Sequence, residues 1–125
     1  MALGHVTREK DGKKPPTRYY SNKQEKAVSK ETAGSQTSNS GATPFQKGDV
    51  LTDLFLLEAK TKTSPSASIT IQKGWFEKNA TEAAFMGKPY SALVFNFGPD
   101  EPNYYVIDKY LFQDLLEYLE KKTFN

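Results

Sequence analysis

The sequence predicts a mixed α/β fold, a β-sheet with helices packed on its faces. Three observations lead there. Short apolar runs of strand character stand at 49–51, 54–60, 90–97 and 104–107. Longer segments bearing helix start and stop residues lie before, between and after them. The resulting order of helix, strands, helix, strands, helix suits a sheet covered by helices, and no internal repeat argues for a solenoid.

Each element has a local reason. Residues 1–18 hold almost no apolar residue and carry Lys-Lys-Pro-Pro at 13–16, which predicts a flexible arm ahead of a single domain over 19–125. Ser21 is a good N-cap and Gly34 a natural stop, so a first helix is expected from about Asn22 to Ala33. Residues 35–48 are rich in Ser, Thr, Asn and Gly and read as a loop, with room for a short strand at its start. Asp49-Val50-Leu51 and Leu54 to Lys60 read as two strands joined by Thr52-Asp53. Lys62 to Ser68 contains Pro65 and reads as a loop; Ser68 or Thr70 can cap a second helix that runs to Met86 and ends at Gly87-Lys88-Pro89. Tyr90 to Phe97 is an apolar strand, Gly98 to Pro102 a turn, and Tyr104 to Ile107 a further strand. Asp108 caps a last helix to about Lys122, with Leu111, Phe112, Leu115 and Leu119 on one stripe.

Composition narrows the chemistry. The 125 residues suit one domain, and 37% of them are hydrophobic. The net charge of +2 is unevenly spread: residues 1–30 hold eight Lys/Arg against three Asp/Glu, residues 31–125 nine against twelve. A basic arm on a mildly acidic body suits a polyanionic partner. Cysteine is absent and His5 is the single histidine, which excludes disulfides and thiolate sites and argues against a histidine zinc site or a Ser-His-Asp triad. Acid–base or metal chemistry would have to use carboxylates and lysines. No apolar run is long enough to span a membrane and no signal-peptide core is present, so a soluble, cytoplasmic protein without membrane attachment is expected.

The informative segment runs from Lys47 to Lys60. Alternation along a strand puts Leu54, Leu56, Glu58 and Lys60 on one face and Phe55, Leu57 and Ala59 on the other. A two-residue turn at Thr52-Asp53 pairs Leu51 with Leu54 and Asp49 with Leu56. Asp49 and Glu58 are then diagonal neighbours on the same face, on the order of 7–8 Å apart between backbones. Two carboxylates brought together repel unless a cation sits between them. Mg²⁺ fits, because it takes carboxylate, water and phosphate oxygens. Lys60 cannot bind the metal but can hold a phosphate oxygen or help deprotonate a water. Glu-x-Lys is a short pattern that recurs by chance. Its attachment to the apolar run Leu54–Leu57, with Asp49 one hairpin arm away, makes it informative here.

An Asp, a spacer and Glu58-Ala59-Lys60 on a hairpin resemble the PD-(D/E)xK nuclease superfamily. The wider series resembles the archaeal-type Holliday junction resolvases and their small phage relatives: Lys23-Gln24-Glu25 in an early helix, Ser38-Asn39-Ser40-Gly41-Ala42, Lys47-Gly48-Asp49, Leu57-Glu58-Ala59-Lys60, and the apolar strand Ser91 to Phe95. The likeness covers about residues 20–97. It implies a restriction-endonuclease-like fold, usually dimeric, and Mg²⁺-dependent cleavage of branched DNA in a bacterial or phage-infected cell, with Mn²⁺ able to substitute. By that resemblance Asp49 and Glu58 bind the metal with the Ala59 carbonyl, Lys60 is the catalytic lysine, and Glu25 approaches as a ligand directly or through water. Ser40 and, more loosely, Gln72 join the DNA-contacting residues. Gly48 stands where the superfamily expects proline, and Asp53 rivals Asp49 for the first acid, although it falls in the expected turn. Lys23, Lys47, Lys62 and Lys73 flank the pair and could meet phosphates. Trp75, Phe76 and Phe85 read as core or dimer contacts. A same-fold nuclease for flaps, mismatches or restriction sites, or a non-catalytic DNA-binding module, are the alternatives the pattern leaves open.

Overall fold

A computed structural model describes residues 16–37 and 49–124. Its elements are α1 (Thr17–Thr32), β1 (Ser35–Gln36), β2 (Asp49–Leu51), β3 (Phe55–Lys60), α2 (Lys73–Phe85), β4 (Tyr90–Phe95), β5 (Tyr104–Val106) and α3 (Lys109–Phe124). The strands form one sheet in the order β1-β2-β3-β4-β5. Only β3 and β4 run parallel; the other neighbours are antiparallel. A parallel pair needs a long crossover, and α2 with its flanking loops supplies it. The expected mixed sheet with helices is therefore present.

Alternation along β4 assigns the two faces. Ala92 and Val94 pack with Val28 of α1, Val50 and Leu57. Phe95 points the other way and meets the Trp75 ring of α2, with centroids 6.2 Å apart. Thus α1 and α2 cover opposite faces. Leu56 and Leu93 are fully buried. Asn79 ties α2 down by donating its amide to the Ala92 carbonyl at 3.1 Å.

Several boundaries depart from the sequence expectation. Helix α1 begins at Thr17, with Pro16 as its N-cap, so Thr17 and Arg18 belong to the helix and not to the arm. Ser21 is inside α1, where its hydroxyl donates to the Arg18 carbonyl at 3.2 Å. The rest of the arm, residues 1–15, lies outside the described residues. Helix α1 stops where expected, but the left-handed residue is Ala33, at φ 56°. Gly34 serves close approach: a Cβ there would stand 2.8 Å from the Leu51 carbonyl oxygen. Helix α2 starts at Lys73, after Gln72, later than Ser68 or Thr70. Strand β3 starts at Phe55 and β4 ends at Phe95. The Asp108 cap is as expected, its carboxylate accepting the Leu111 N–H at 2.9 Å.

The β2–β3 turn holds the largest correction. Leu51 pairs with Leu56, not Leu54, so the connection spans four residues. The Thr52 hydroxyl accepts the N–H groups of Leu54 and Phe55 at 3.3 and 3.0 Å, and the Thr52 N–H donates to the Phe55 carbonyl at 3.0 Å. A threonine that satisfies these groups closes the longer loop without needing the φ > 0 residues of a two-residue hairpin. Among the described residues no helix is long and apolar enough to cross a membrane.

Candidate active site

The corrected register brings the two acids closer than expected. Asp49 lies directly across from Glu58, not diagonal to it. The slip is two residues, one full side-chain period, so both still face α2's side of the sheet. Lys60 follows on the same face. Its Nζ is 2.8 Å from Glu58 Oε2 and 4.2 Å from the centroid of the Trp75 ring. The ammonium is held between a carboxylate and the negative face of an indole, which fixes a side chain that would otherwise be mobile.

Burial makes the acids costly as charges. Asp49 is 2% exposed and Glu82, reaching in from α2, is 4% exposed. Asp49 Oδ2, Glu58 Oε1 and Glu82 Oε2 are buried without a hydrogen-bond partner among the described residues. Lys78 Nζ stands 3.4 Å from Glu82 Oε2, close enough to attract but not in hydrogen-bonding geometry. Burial raises the Asp49 carboxyl to about 8, and the charges of Glu58, Glu82 and Glu25 add to the rise against a small opposing effect of Lys78. Glu25 is itself raised, chiefly by burial, although Gln36 Nε2 donates to it at 3.3 Å. Its charge reaches Asp49 while its hydrogen bond holds it to β1.

The other expected residues scatter more widely. Ala59 is a β3 ladder residue in register with Val94. Gln72 is the exposed N-cap of α2, its carbonyl accepting the Trp75 N–H at 3.1 Å. Lys73 is highly exposed and 3.7 Å from Glu77. Lys62 follows β3, with its backbone N–H bonded to Asn96 at 3.4 Å. The charge of Lys23 is met by Asp100 at 2.7 Å. Asp53 is exposed in the turn, where its carbonyl accepts from Lys88 Nζ at 3.2 Å, and the register leaves Asp49 as the acid opposite Glu58. Ser40 and Lys47 lie outside the described residues.

Sequence reasoning missed Glu82 and gave Trp75 a packing role only. A signal was available: Trp75, Asn79 and Glu82 fall at i, i+4 and i+7, one face of a helix, with two polar residues where apolar ones belong.

Asp49 and Glu58 fit a hard divalent cation. Their unpartnered buried oxygens are acceptors, and a positive charge between them would remove the repulsion that raises Asp49. Among the described residues no three ligand-type side chains form a ready-made cage. Mg²⁺ does not require one, since it commonly binds through one or two carboxylates plus water and phosphate. Comparison with family models, with curated proteins and with solved structures finds no match for this chain.

Proposed function

We propose that this protein is a Mg²⁺-dependent endodeoxyribonuclease of restriction-endonuclease-like fold that hydrolyses phosphodiester bonds in branched DNA, with four-way junctions as its substrate. One observation carries the reading: the buried carboxylate of Asp49 and the partly buried one of Glu58 face each other across a hairpin, each with one unpartnered buried oxygen, and a lysine seated on Trp75 adjoins them. A purely structural role gives no reason to keep such a pair, because apolar residues of similar volume would be the more stable choice.

Asp49 and Glu58 would hold the metal. When bound, Mg²⁺ would supply positive charge at the scissile phosphate and acidify a water. Lys60 has two tasks open to it at Nζ: donating a hydrogen bond to a non-bridging phosphate oxygen, or orienting the attacking water. Trp75 and Glu58 fix where that ammonium points. Hydrolysis adds water across one P–O bond and leaves a phosphate monoester and a free hydroxyl. Lys62 and Lys73, beyond the C-terminal end of β3 and at the start of α2, suit contacts to the DNA backbone, which position DNA without reading sequence. The preference for junctions follows from the motif resemblance.

The test is incubation of the full chain with a four-way junction, a flap and a linear duplex, each in Mg²⁺, Mn²⁺ or EDTA. Symmetric nicking of the junction in either metal, absent in EDTA, is expected. Cleavage of flap or duplex in its place would keep the nuclease and replace the substrate. No metal-dependent cleavage of any DNA would overturn the proposal and favour a non-catalytic module.

A further inference from the structure

Helix α3 is sixteen residues long, yet of its described side chains only Leu111 is buried. Phe112 is 56% exposed, Leu115 41%, Leu116 42% and Tyr118 58%. At 100° per residue these four and Leu111 lie on one broad face, which also carries Lys122 against Tyr118 in the last turn, while Lys109, Gln113, Asp114, Glu117, Glu120 and Lys121 occupy the opposite arc. An isolated helix of this length is marginal in water and draws its stability from packing an apolar face. Here that face borders an open apolar groove of about 390 Å³, whose walls include Phe55, Leu57, Ala92 and Ile107 on one side and Leu111 and Leu115 on the other. A helix and an acceptor groove of matching character thus stand side by side, and neither fills the other.

We propose that α3 packs against α3 of a second copy of this chain, antiparallel about a two-fold axis, with each helix also covering its partner's groove. Two further features single out a second copy. The first is charge. In an antiparallel pair like edges of the apolar stripe meet. Lys109 and Glu120 flank one edge, near opposite ends of the helix, and Asp114 and Lys121 flank the other. Reversal about the middle of α3, between Leu116 and Glu117, brings Asp114 within about 3 Å along the axis of the partner's Lys121, and Lys109 within about 6 Å of the partner's Glu120, offsets that a lysine side chain can span. Among the described residues Lys121 makes a surface pair with Glu117 at 3.8 Å. The second feature is area. With about 150–250 Å² for a whole aromatic side chain, the exposed parts of Phe112, Leu115, Leu116, Tyr118 and the adjoining Tyr105 amount to roughly 450 Å² of apolar surface. Interfaces are about 56–65% apolar, so this patch corresponds to roughly 750 Å² per partner, close to the ~800 Å² of a standard stable interface. The inference rests on the helix surface alone and is independent of the nuclease reading.

The experiment needs neither DNA nor metal. Light scattering coupled to size exclusion, on the full chain from about 1 to 100 µM, should give twice the 14.0 kDa chain mass. Phe112→Asp with Leu116→Asp changes two exposed side chains, so it should keep the circular dichroism of the parent and run at the single-chain mass. Because the chain has no cysteine, single cysteines report the geometry without background. Leu116→Cys lies beside the helix midpoint and should cross-link to its copy on mild oxidation. Phe112→Cys lies on the order of 13 Å from its copy in an antiparallel pair, at 1.5 Å rise per residue, and should not. A wild-type chain that stays monomeric at 100 µM would overturn the proposal. So would a dimer that survives the Asp double variant with its fold intact, or one that cross-links through Phe112→Cys as readily as through Leu116→Cys, the mark of parallel helices.

Discussion

Replacing Asp49 with Asn should abolish the proposed nuclease activity and stabilise the protein. The Asp49 carboxyl titrates near 8 in the folded state, against about 4 in an unfolded chain. Between those values the folded protein keeps a proton that the unfolded chain has released. Its contribution to stability is therefore largest below about pH 4, falls as pH rises, and is lost by about pH 8. Each pH unit of that window carries at most about 1.4 kcal/mol, so the ceiling is about 5–6 kcal/mol. Relaxation of the site and water entry lower this, and about 1–3 kcal/mol is the expected penalty at pH 8. Asn has the same shape, no charge, and an NH₂ group able to donate to the unpartnered oxygens of Glu58 or Glu82. In thermal denaturation with EDTA, Asp49→Asn should match wild type near pH 4–5 and exceed it by roughly 5–15 °C in Tm at pH 8. Added Mg²⁺ should raise the wild-type Tm and leave the variant unmoved. A variant less stable than wild type at pH 8, in the absence of metal, would refute the reasoning and make Asp49 a structural residue.

The remaining predictions concern neighbouring groups. Glu58→Gln and Lys60→Ala should each lower cleavage by several orders of magnitude with unchanged circular dichroism; near wild-type rates in matched Mg²⁺ would remove either from the site. Trp75→Phe should keep most activity, while Trp75→Leu, which removes the ring face beneath Lys60, should lose roughly 3–30-fold in kcat, a cation–π contact being worth about 0.5–2 kcal/mol. Metal affinity, followed by calorimetry, should rise with pH and level off above about pH 8, where Asp49 no longer has a proton to release. Truncation before Pro16 removes Arg8, Lys10, Lys13 and Lys14 and should weaken DNA binding at low salt, with the dependence on log salt shallower by up to about 4; an unchanged affinity would dissociate the basic segment from DNA binding.

Much of the site follows from the sequence alone, because it is local. Glu58 and Lys60 are two apart on a strand, so they share a face whatever the strand pairs with. Asp49 joins that face for a less obvious reason. The hairpin closes two residues away from the register that the Thr52-Asp53 spacing suggests, and a slip of one residue would have turned Asp49 into the opposite layer. The period of two preserved the face, while the Thr52 hydroxyl, which sets the loop, decided that Asp49 meets Glu58 directly. The helix order and the Asp108 cap were legible for the same local reason. The start of α1 was not, because nothing in the chain nearby forbids Thr17 to Tyr20 from joining it. Contacts between distant segments depend on the crossover between β3 and β4 and on how α2 is rotated upon the sheet. That rotation, fixed by the Trp75 contact with Phe95 and the Asn79 bond to β4, carries Glu82 toward Asp49 and slides an indole under Lys60. The stripe on α3 was visible from its spacing. That it stays exposed was not, since a periodic pattern says which face is apolar and only packing says what covers it.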